Sequence, residues 1–362
     1  MKHCKVTINE RSFSANYGDL LLDSAILNGV ELPHDCRAGV CGTCSVRLVA
    51  GKVFGGEQSG TDIIHACQAR ILSDLNIMSD AAVPHRVSVS AQIVRLVRLA
   101  PDVIDISIEL EKPFNYLPGQ YCKLQFRGFP ARRYSPSYPL QGASHAQLLH
   151  FQIRRFRDGA ISSALGEKIA VGHRLRLTGP FGGAFFRPNH PGGVVLVSSG
   201  TGFAPMWSIA VEAIKERPQR EMVFVVATQK LQSFYMHSAL CRLARFPNVT
   251  IIPIVSEPQH VSSDIRSGRP IDCLPNLSPE HVVYASGAAA LTVQVAKIAK
   301  AAGAKCYADP FVSHAELAED SKLMSRLVGW LSSPRKNKTG LQALRAASQK
   351  TSKKTRAAPN KF

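Results

Sequence analysis

Three cysteines and two glycines lie together in the stretch CRAGVCGTC, Cys36 to Cys44, of a chain of 362 residues. The chain has 9 cysteines, an odd number, and its first residues, MKHCKVTINE, carry charges in place of the apolar core of a secretory signal. We therefore expect a reducing, cytoplasmic location, in which disulfides do not persist. Structural zinc takes two C-x2-C pairs, whereas here C-x4-C-x2-C is answered by Cys67 alone. That spacing predicts the ligands of a [2Fe-2S] cluster.

The residues between the cysteines suit the negative charge of such a cluster. Gly39 and Gly42 have no Cβ, so the backbone can wrap closely and direct N–H groups at sulfur, while Arg37 adds a positive charge nearby. The whole loop resembles the cluster loop of plant-type ferredoxins. The ligands that this resemblance implies are Cys36, Cys41, Cys44 and Cys67.

A second motif, ARRYSPSY, places an arginine, an aromatic ring and a hydroxyl at the edge of a predicted strand. The Arg132 guanidinium can bind a pyrophosphate through two hydrogen bonds. The Tyr134 ring can lie against a flat heterocycle, and the Ser135 hydroxyl can hydrogen-bond a ring nitrogen. These residue types together predict a site for a nucleotide cofactor with an aromatic ring system.

A third motif, RRFRDGAISSAL, brings Gly159, Ile161 and Ser162 to a turn that we expect to begin a helix. The N–H groups at such a helix start, together with the serine hydroxyl, can bind phosphate oxygens. The arginine motif followed by this turn resembles the FAD domain of the ferredoxin-NADP reductase superfamily. The resemblance implies that all three residues belong to the FAD site.

The same resemblance implies individual roles around the flavin. Arg132 would contact the pyrophosphate, and Tyr134 would stack on the isoalloxazine. Ser135 would reach flavin N5 as a catalytic residue, and Ser162 would bind phosphate.

A glycine turn, GTGFAP, lies between the buried strand VVLVSS and a predicted helix, where it can hold a dinucleotide phosphate on the helix N–H groups. Pro205 falls near the first helical position, at which its missing N–H is not needed. The third glycine of the usual Rossmann fingerprint is missing, but the form G-T-G-x-x-P resembles the NAD(P) domain of the same superfamily. The residues that match it are Gly200, Thr201, Gly202 and Pro205.

Two later segments extend the resemblance. VVYASGAAAL resembles the strand end at which the superfamily places a Cys-Gly pair beside the nicotinamide, and Ser286 and Gly287 stand there in this chain. The resemblance implies that Ser286 lines the nicotinamide pocket as a second catalytic residue, with serine in place of cysteine. The segment YADPF, with Phe311, resembles the terminal segment whose aromatic ring lies near the flavin.

The elements around these motifs predict three folded domains of α+β and α/β class. Alternating strands, the helix LLDSAILNGV and the strand SVRLVAGKV predict a β-grasp ferredoxin domain over residues 1–84. Short strands separated by turns predict an antiparallel β-barrel FAD domain over residues 85–188. Buried strands alternating with helices predict a parallel-sheet NAD(P)-binding domain over residues 189–312. Residues 313–362 are predicted to form an amphipathic helix and a basic, disordered tail.

Charge is divided unevenly among these parts. The chain has 44 Lys/Arg and 26 Asp/Glu, a net charge of +18. Residues 1–84 hold 7 basic and 9 acidic residues, whereas residues 331–362 hold 9 basic residues and no acidic one. The tail is therefore suited to weak docking on an acidic partner or an anionic membrane surface. We predict no membrane span, because no run of about 18 apolar residues occurs, and no nucleic-acid binding, because aromatic residues are not interleaved with the charges.

The order of the three modules resembles the reductase component of bacterial multicomponent oxygenases. That resemblance implies an NAD(P)H:acceptor oxidoreductase in which NADH or NADPH reduces FAD, and electrons pass singly through the [2Fe-2S] cluster to a terminal oxygenase. A deoxysugar dehydratase or a cytochrome P450 is an alternative acceptor, and a non-catalytic redox sensor is an alternative function that Ser286 favours. Family resemblance favours NADH. After the strand MVFVVAT, however, the chain offers no acidic residue for a ribose hydroxyl, only Lys230 as a 2′-phosphate partner.

Overall fold

The computed structural model describes most of the chain up to Phe311. The described residues are 3–30, 32–34, 37, 39, 42–58, 60–79, 86–140, 147–156, 159–257 and 264–311. Cys36, Cys41, the predicted domain boundary at residue 84 and the predicted helix and tail of residues 313–362 lie outside them. Among the described residues, no helix has the length and apolar character needed to cross a membrane.

The N-terminal domain is a small mixed sheet with one helix. Its elements are β1 (His3–Ile8), β2 (Arg11–Asn16), α1 (Leu21–Leu27), β3 (Ser45–Ala50), β4 (Val53–Phe54), β5 (Ile63–His65), β6 (Arg70–Ile71) and β7 (Leu75–Met78). The main sheet has the order β2-β1-β7-β3-β5, and β4 pairs with β6. Side chains of β1 alternate between exposed and buried, so one face of this sheet carries the core. The helix ends before Gly29, whose φ of 70° suits a glycine after a helix.

The middle domain is a curled antiparallel sheet. Its strands are β8 (Val87–Ala100), β9 (Val103–Leu110), β10 (Tyr121–Phe126), β11 (Arg132–Tyr134), β12 (Leu148–Arg154) and β13 (Arg174–Phe181). They pair in the order β11-β10-β13-β8-β9-β12. The pairing of β8 with β9 shifts register between Ile93 and Arg95, and such an irregularity increases strand twist and helps a sheet to curl around its core.

The prediction that Gly159 to Ser162 begin a helix is wrong. These residues form a turn, in which the Ser163 N–H donates to Gly159 O at 3.0 Å, and the chain does not continue as a helix. The reason lies a few residues later. Gly166 has a φ of 85°, and the Ile169 N–H donates back to Ala164 O at 2.9 Å, so the chain folds back after one turn.

The third domain is a parallel sheet with helices on both faces. Its elements are β14 (Val194–Ser199), α2 (Phe203–Glu216), β15 (Met222–Thr228), α3 (His237–Leu243), β16 (Val249–Val255), β17 (Arg266–Ser267), β18 (Val282–Ala288), α4 (Ala289–Ala301) and β19 (Lys305–Phe311). The strand order is β17-β16-β15-β14-β18-β19. The central strands are buried along almost their whole length, as expected for a sheet covered on both faces. The predicted class and the three predicted folds are confirmed.

Helix α2 joins the third domain to the segment that follows β11. The Ser137 Oγ donates to Ala204 O at 3.2 Å, and the Ser208 Oγ donates to Pro136 O at 3.2 Å. Further along the same helix, the Tyr138 hydroxyl donates to a carboxylate oxygen of Glu212 at 2.6 Å. The helix that follows the glycine turn is therefore fixed against the strand that carries the arginine motif.

Candidate functional site

Two of the four predicted cluster ligands lie within the described residues, and the fold brings them together. Cys44 immediately precedes β3 and Cys67 follows β5, and the pairing of Ser45 with His65 aligns these two strand ends. The two Sγ atoms are 3.2 Å apart, and both side chains are buried. Thiolates are the ligands of iron-sulfur clusters, so two converging sulfurs under a glycine-containing loop fit the predicted group.

The backbone around these sulfurs has the conformation that the glycines predicted. Gly39 and Gly42 have φ values of 73° and 72°, in the left-handed region that favours glycine. The Gln68 side-chain amide donates to Arg37 O at 2.8 Å and lies 3.8 Å from Cys67 Sγ. A Cβ at Gly39 would lie 2.7 Å from Gln68 Cγ. The amide therefore holds the loop and offers a donor to sulfur; sequence analysis missed it, although it directly follows a ligand.

Thr43, between two predicted ligands, lies near the segment after β13, where a Cβ added to Gly183 would lie 3.4 Å from Thr43 Oγ1. Arg187 anchors this segment by donating to Gly183 O at 2.9 Å and to Phe185 O at 2.6 Å. Its guanidinium carbon also lies 3.5 Å from the centre of the Tyr307 ring on β19. One arginine thus connects the surface under the cluster loop to the third domain.

The arginine motif forms an edge strand of the barrel. The pairing of β10 with β11 sets Leu124 opposite Arg132 and Cys122 opposite Tyr134. Burial raises the pKa of Tyr134 to about 12, so this phenol stays neutral and can lie against an uncharged ring. Ser135 is buried, and its Oγ has no hydrogen-bond partner among the described residues.

An unsatisfied buried hydroxyl costs about 1–3 kcal/mol, so its position calls for an explanation. The Ser135 hydroxyl follows an edge strand with an exposed, basic outer side. A ring nitrogen of a bound flavin would satisfy it, and this part of the barrel therefore fits FAD.

Polar groups of the Gly159 turn form hydrogen bonds with one another, which the sequence did not predict. The Ser162 Oγ accepts the Phe156 N–H at 3.1 Å, so this hydroxyl already has a partner inside the turn. Ile161 is buried in the barrel core. A pocket beside the turn is lined by residues that include Phe129, Arg155 and Phe156. Arg155, which sequence analysis did not single out, places a cation beside this turn.

The glycine turn follows β14 as predicted, with a short 3-10 helix, Gly200–Gly202, leading into α2. Pro205 lies in the first turn of α2, where its missing N–H is not needed. A Cβ on Gly202 would overlap the Ser286 carbonyl and lie 2.6 Å from Gly287 N. Gly202 therefore allows the ends of β14 and β18 to touch.

Gly287, on β18, lies equally close to the end of β14. Its φ is 118°, and an added Cβ would overlap the Ser199 carbonyl and lie 3.0 Å from Ser199 N. Beyond it, Phe311 pairs with Ala288 across β18 and β19 and is partly exposed. The residues predicted for the nicotinamide end thus share one edge of the sheet, where parallel α/β sheets bind ligands.

Ser286 is fully enclosed in this structure. It pairs with Ser198 on β14, and both hydroxyls are buried without a hydrogen-bond partner among the described residues. Side chains alternate along a strand, so paired residues project from the same face. Ser198 was missed by sequence analysis, although the doubled serine at the end of VVLVSS was a visible signal.

Arg154 is a further residue that sequence analysis missed. An added Cβ on Gly200 would lie 4.0 Å from Arg154 Nη1, so this cation adjoins the glycine turn. Its Nε donates to an Asp102 carboxylate oxygen at 3.0 Å, and the Ser233 Oγ donates to the other oxygen at 2.9 Å. These bonds tie the end of β12 to the loop after β15.

Three sequence families match the chain in the order of its domains. A 2Fe-2S iron-sulfur cluster binding domain matches residues 5–72, an oxidoreductase FAD-binding domain matches residues 90–186, and an oxidoreductase NAD-binding domain matches residues 196–295. The predicted cofactors, a [2Fe-2S] cluster, FAD and a nicotinamide coenzyme, are confirmed by these matches.

Two curated relatives match about two thirds of the chain. The ferredoxin-NAD(P)+ reductase component of the naphthalene 1,2-dioxygenase/salicylate 5-hydroxylase systems of Ralstonia sp is 31% identical over 255 residues, 67% of this chain and 76% of that protein. The corresponding component of the naphthalene 1,2-dioxygenase system of Pseudomonas putida is 30% identical over 260 residues, 68% of this chain and 78% of that protein.

A solved structure covers more of the chain. The cytochrome P450 reductase of Amycolatopsis has a TM-score of 0.63 and 25% sequence identity, and the similarity covers 86% of this chain and 99% of that one. The predicted resemblance and module order are confirmed by these matches.

Proposed function

Because this chain belongs to the ferredoxin-NAD(P)+ reductase components of oxygenase systems, we propose that it takes electrons from NADH and delivers them to the terminal oxygenase of one such system. It is an oxidoreductase with FAD-, NAD- and [2Fe-2S]-binding domains. FAD, when bound, accepts electrons in pairs from a nicotinamide and releases them singly to an iron-sulfur cluster. The observation that carries the proposal is the proximity of Thr43, beside a predicted cluster ligand, to Gly183 in the segment that follows β13 of the FAD-binding domain.

We assign the cofactors to the residues that the motifs predicted. The cluster ligands are Cys36, Cys41, Cys44 and Cys67, supported by the convergence of the two sulfurs described above. The FAD residues are Arg132, Tyr134, Ser135, Gly159, Ile161 and Ser162, supported by the orphaned Ser135 hydroxyl. The nicotinamide residues are Gly200, Thr201, Gly202, Pro205, Ser286, Gly287 and Phe311, supported by their common sheet edge.

Within this assignment, each group of residues has a physical task. Tyr134, as a neutral and partly buried phenol, orients a flat ring without placing a charge on it. Ser135 supplies a hydrogen bond at the reacting edge of that ring and excludes water from the same place. Gly202 and Gly287 keep the nicotinamide end of the third domain close-packed.

Replacing Ser135 with alanine is expected to leave FAD bound but to slow its reduction by NADH about ten- to hundredfold, the range expected for one buried hydrogen bond. Anaerobic stopped-flow absorbance of the flavin measures the rate. Ser107→Ala is the matched control, because Ser107 is a buried serine of the same barrel that pairs with His150 Nδ1 at 3.0 Å. Equal rates of flavin reduction in Ser135→Ala and Ser107→Ala would show that Ser135 has no catalytic role.

Family resemblance favours NADH, and the surroundings of Lys230 support that choice. This lysine was the cation available for a 2′-phosphate, but its Nζ lies 3.9 Å from the Glu257 carboxylate. The carboxylate offsets the charge that would select NADPH and supplies the acidic group that the sequence lacked directly after β15.

An anaerobic titration of the purified protein tests the proposed function and the coenzyme together. NADH and NADPH are added separately while flavin and cluster absorbance and the low-temperature EPR spectrum are recorded. We expect NADH to bleach the flavin and to produce a rhombic [2Fe-2S] signal, with NADPH much slower. Cofactors that are present but reduced by neither coenzyme would favour the redox-sensor alternative.

A cytochrome P450 is the second candidate acceptor, favoured by the similarity to the Amycolatopsis P450 reductase over 99% of that chain. Reduction of a ring-hydroxylating oxygenase and of a P450 by the NADH-reduced protein, compared at equal concentrations, separates the two. Faster reduction of the P450 would overturn the oxygenase assignment.

We also propose that the basic tail adds weak docking to an acidic surface of the acceptor, within the cytoplasm. Residues 331–362 hold 9 basic residues and no acidic one, and attraction between such charges speeds association at low salt. A chain ending at residue 312 should reduce its acceptor more slowly at low ionic strength and equally at high ionic strength. Sedimentation of the full chain, but not of the shortened one, with anionic vesicles would favour a membrane surface instead.

A further inference from the structure

We propose that Arg86 and Lys123, assisted by Arg37 and Arg133, form a cation cluster that raises the reduction potential of the [2Fe-2S] cluster and so favours electron transfer from flavin to iron. The inference rests on the proposed function and deepens it. In this inference the four side chains contact no reacting atom and change the reduction potential of the cluster through their positive charge.

The cations gather on a pair of stacked aromatic rings. Tyr121 and Phe181 stack with ring centres 5.4 Å apart and planes 14° apart. The Arg86 guanidinium carbon lies 4.8 Å and the Lys123 Nζ 4.9 Å from the centre of the Phe181 ring. The Arg133 guanidinium carbon lies 5.6 Å from the centre of the Tyr121 ring. Three separate chain segments therefore bring positive charge to one place.

Arg86 and Lys123 have no acidic counterpart on the described part of the chain. Arg37 pairs with the Asp23 carboxylate, whereas neither Arg86 nor Lys123 has an ion-pair partner among the described residues, and the buried Arg86 Nε lacks a hydrogen-bond acceptor there. Burial, followed by the positive charges of Arg133, Arg86 and Arg37, lowers the pKa of Lys123. Like charges brought together in a partly buried place destabilise one another unless an anion compensates them.

The cations lie near the cluster loop. Phe181, beneath them, is followed by a segment in which a Cβ added to Gly183 would lie 3.4 Å from Thr43 Oγ1, and Thr43 directly precedes the predicted ligand Cys44. Arg37, in the same loop, contributes to the lowered pKa of Lys123. A cluster held by four thiolates and two sulfides is anionic, and reduction adds one more negative charge. Nearby cations therefore stabilise its reduced state more than its oxidised state.

The size of the effect follows from Coulomb's law in a partly buried site. With an effective dielectric constant of about 20, one charge about 12 Å away changes an equilibrium constant about tenfold. For a one-electron couple, a tenfold change corresponds to about 59 mV. Loss of one cation should therefore shift the equilibrium of electron transfer about tenfold, from the reduced cluster toward the reduced flavin.

The variant Lys123→Met tests this. Methionine keeps an apolar side chain over the Phe181 ring and removes only the charge. Reduction potentials of flavin and cluster are measured on the holoprotein by redox titration, with absorbance for the flavin and EPR for the cluster. Lys123→Arg keeps the charge. The matched control is Arg174→Met, because Arg174 is an exposed cation about 23 Å from Phe181 along β13, at about 3.3 Å per residue.

We expect Lys123→Met to lower the reduction potential of the cluster by about 59 mV, which is a tenfold change in the equilibrium constant, with little change in the flavin potential. We expect the Lys123→Arg and Arg174→Met variants to keep the parental potential. An unchanged cluster potential in Lys123→Met, or an equal shift in Arg174→Met, would overturn the inference. Absence of a reducible cluster from the parent protein would instead overturn the proposed function, so the two failures are distinguishable.

Discussion

Replacing Cys67 with alanine is expected to eliminate the [2Fe-2S] cluster and to reduce electron delivery to the acceptor at least a hundredfold, while NADH still bleaches the flavin. The Cys67 sulfur lies 3.2 Å from that of Cys44, in a buried place. Without it, three thiolates would have to hold a group that needs four. The flavin keeps its own site, because Ser135 and the glycine turn belong to other domains. EPR of the reduced protein, iron content and stopped-flow flavin absorbance check each part.

Cys4→Ala is the matched control for this experiment. Cys4 is a buried cysteine of the same domain on β1, and it belongs to the same core as Cys67. We expect this variant to keep its iron and its rhombic signal. A full cluster signal in Cys67→Ala, or its equal loss in Cys4→Ala, would contradict the ligand assignment.

Local patterns predicted the fold well, because the strands and helices of each domain have clear patterns within short windows of sequence. Alternation gave β1 and β2, continuous apolar runs gave β14 and β18, and Pro205 marked the start of α2. The predicted helix after Gly159 is absent because the chain folds back at Gly166, whose φ is 85°, and the Ile169 N–H donates to Ala164 O.

Side chains that connect separate elements of the fold were the ones that sequence analysis missed. Gln68 bonds to Arg37 from the other side of the cluster loop, and Arg154 adjoins the glycine turn from a different domain. Nothing in the sequence near Arg154 signals its contact, because that contact depends on how separate elements pack, whereas Gln68 directly follows the predicted ligand Cys67. The cations around Phe181 are of the same kind, since Arg86 and Lys123 are far apart along the chain.

Replacing Gly202 with alanine is expected to destabilise the third domain by about 1–3 kcal/mol and to slow flavin reduction by NADH more than tenfold. The φ of Gly202 is −59°, which alanine adopts without strain, so the effect comes from overlap alone. The new methyl group would meet the carbonyl of Ser286 and the nitrogen of Gly287, which are backbone atoms with little freedom to move. Chemical unfolding and stopped-flow flavin absorbance measure the two effects.

Gly200→Ala in the same turn separates this overlap from the loss of a glycine as such. Gly200 has a φ of 55°, and an added Cβ would meet only Arg154 Nη1, at 4.0 Å. Alanine there carries left-handed backbone strain of about 1 kcal/mol without any overlap. The larger loss should therefore follow Gly202→Ala. The reverse order would mean that backbone conformation in the turn, and not the contact between the ends of β14 and β18, limits how the third domain holds its nicotinamide coenzyme.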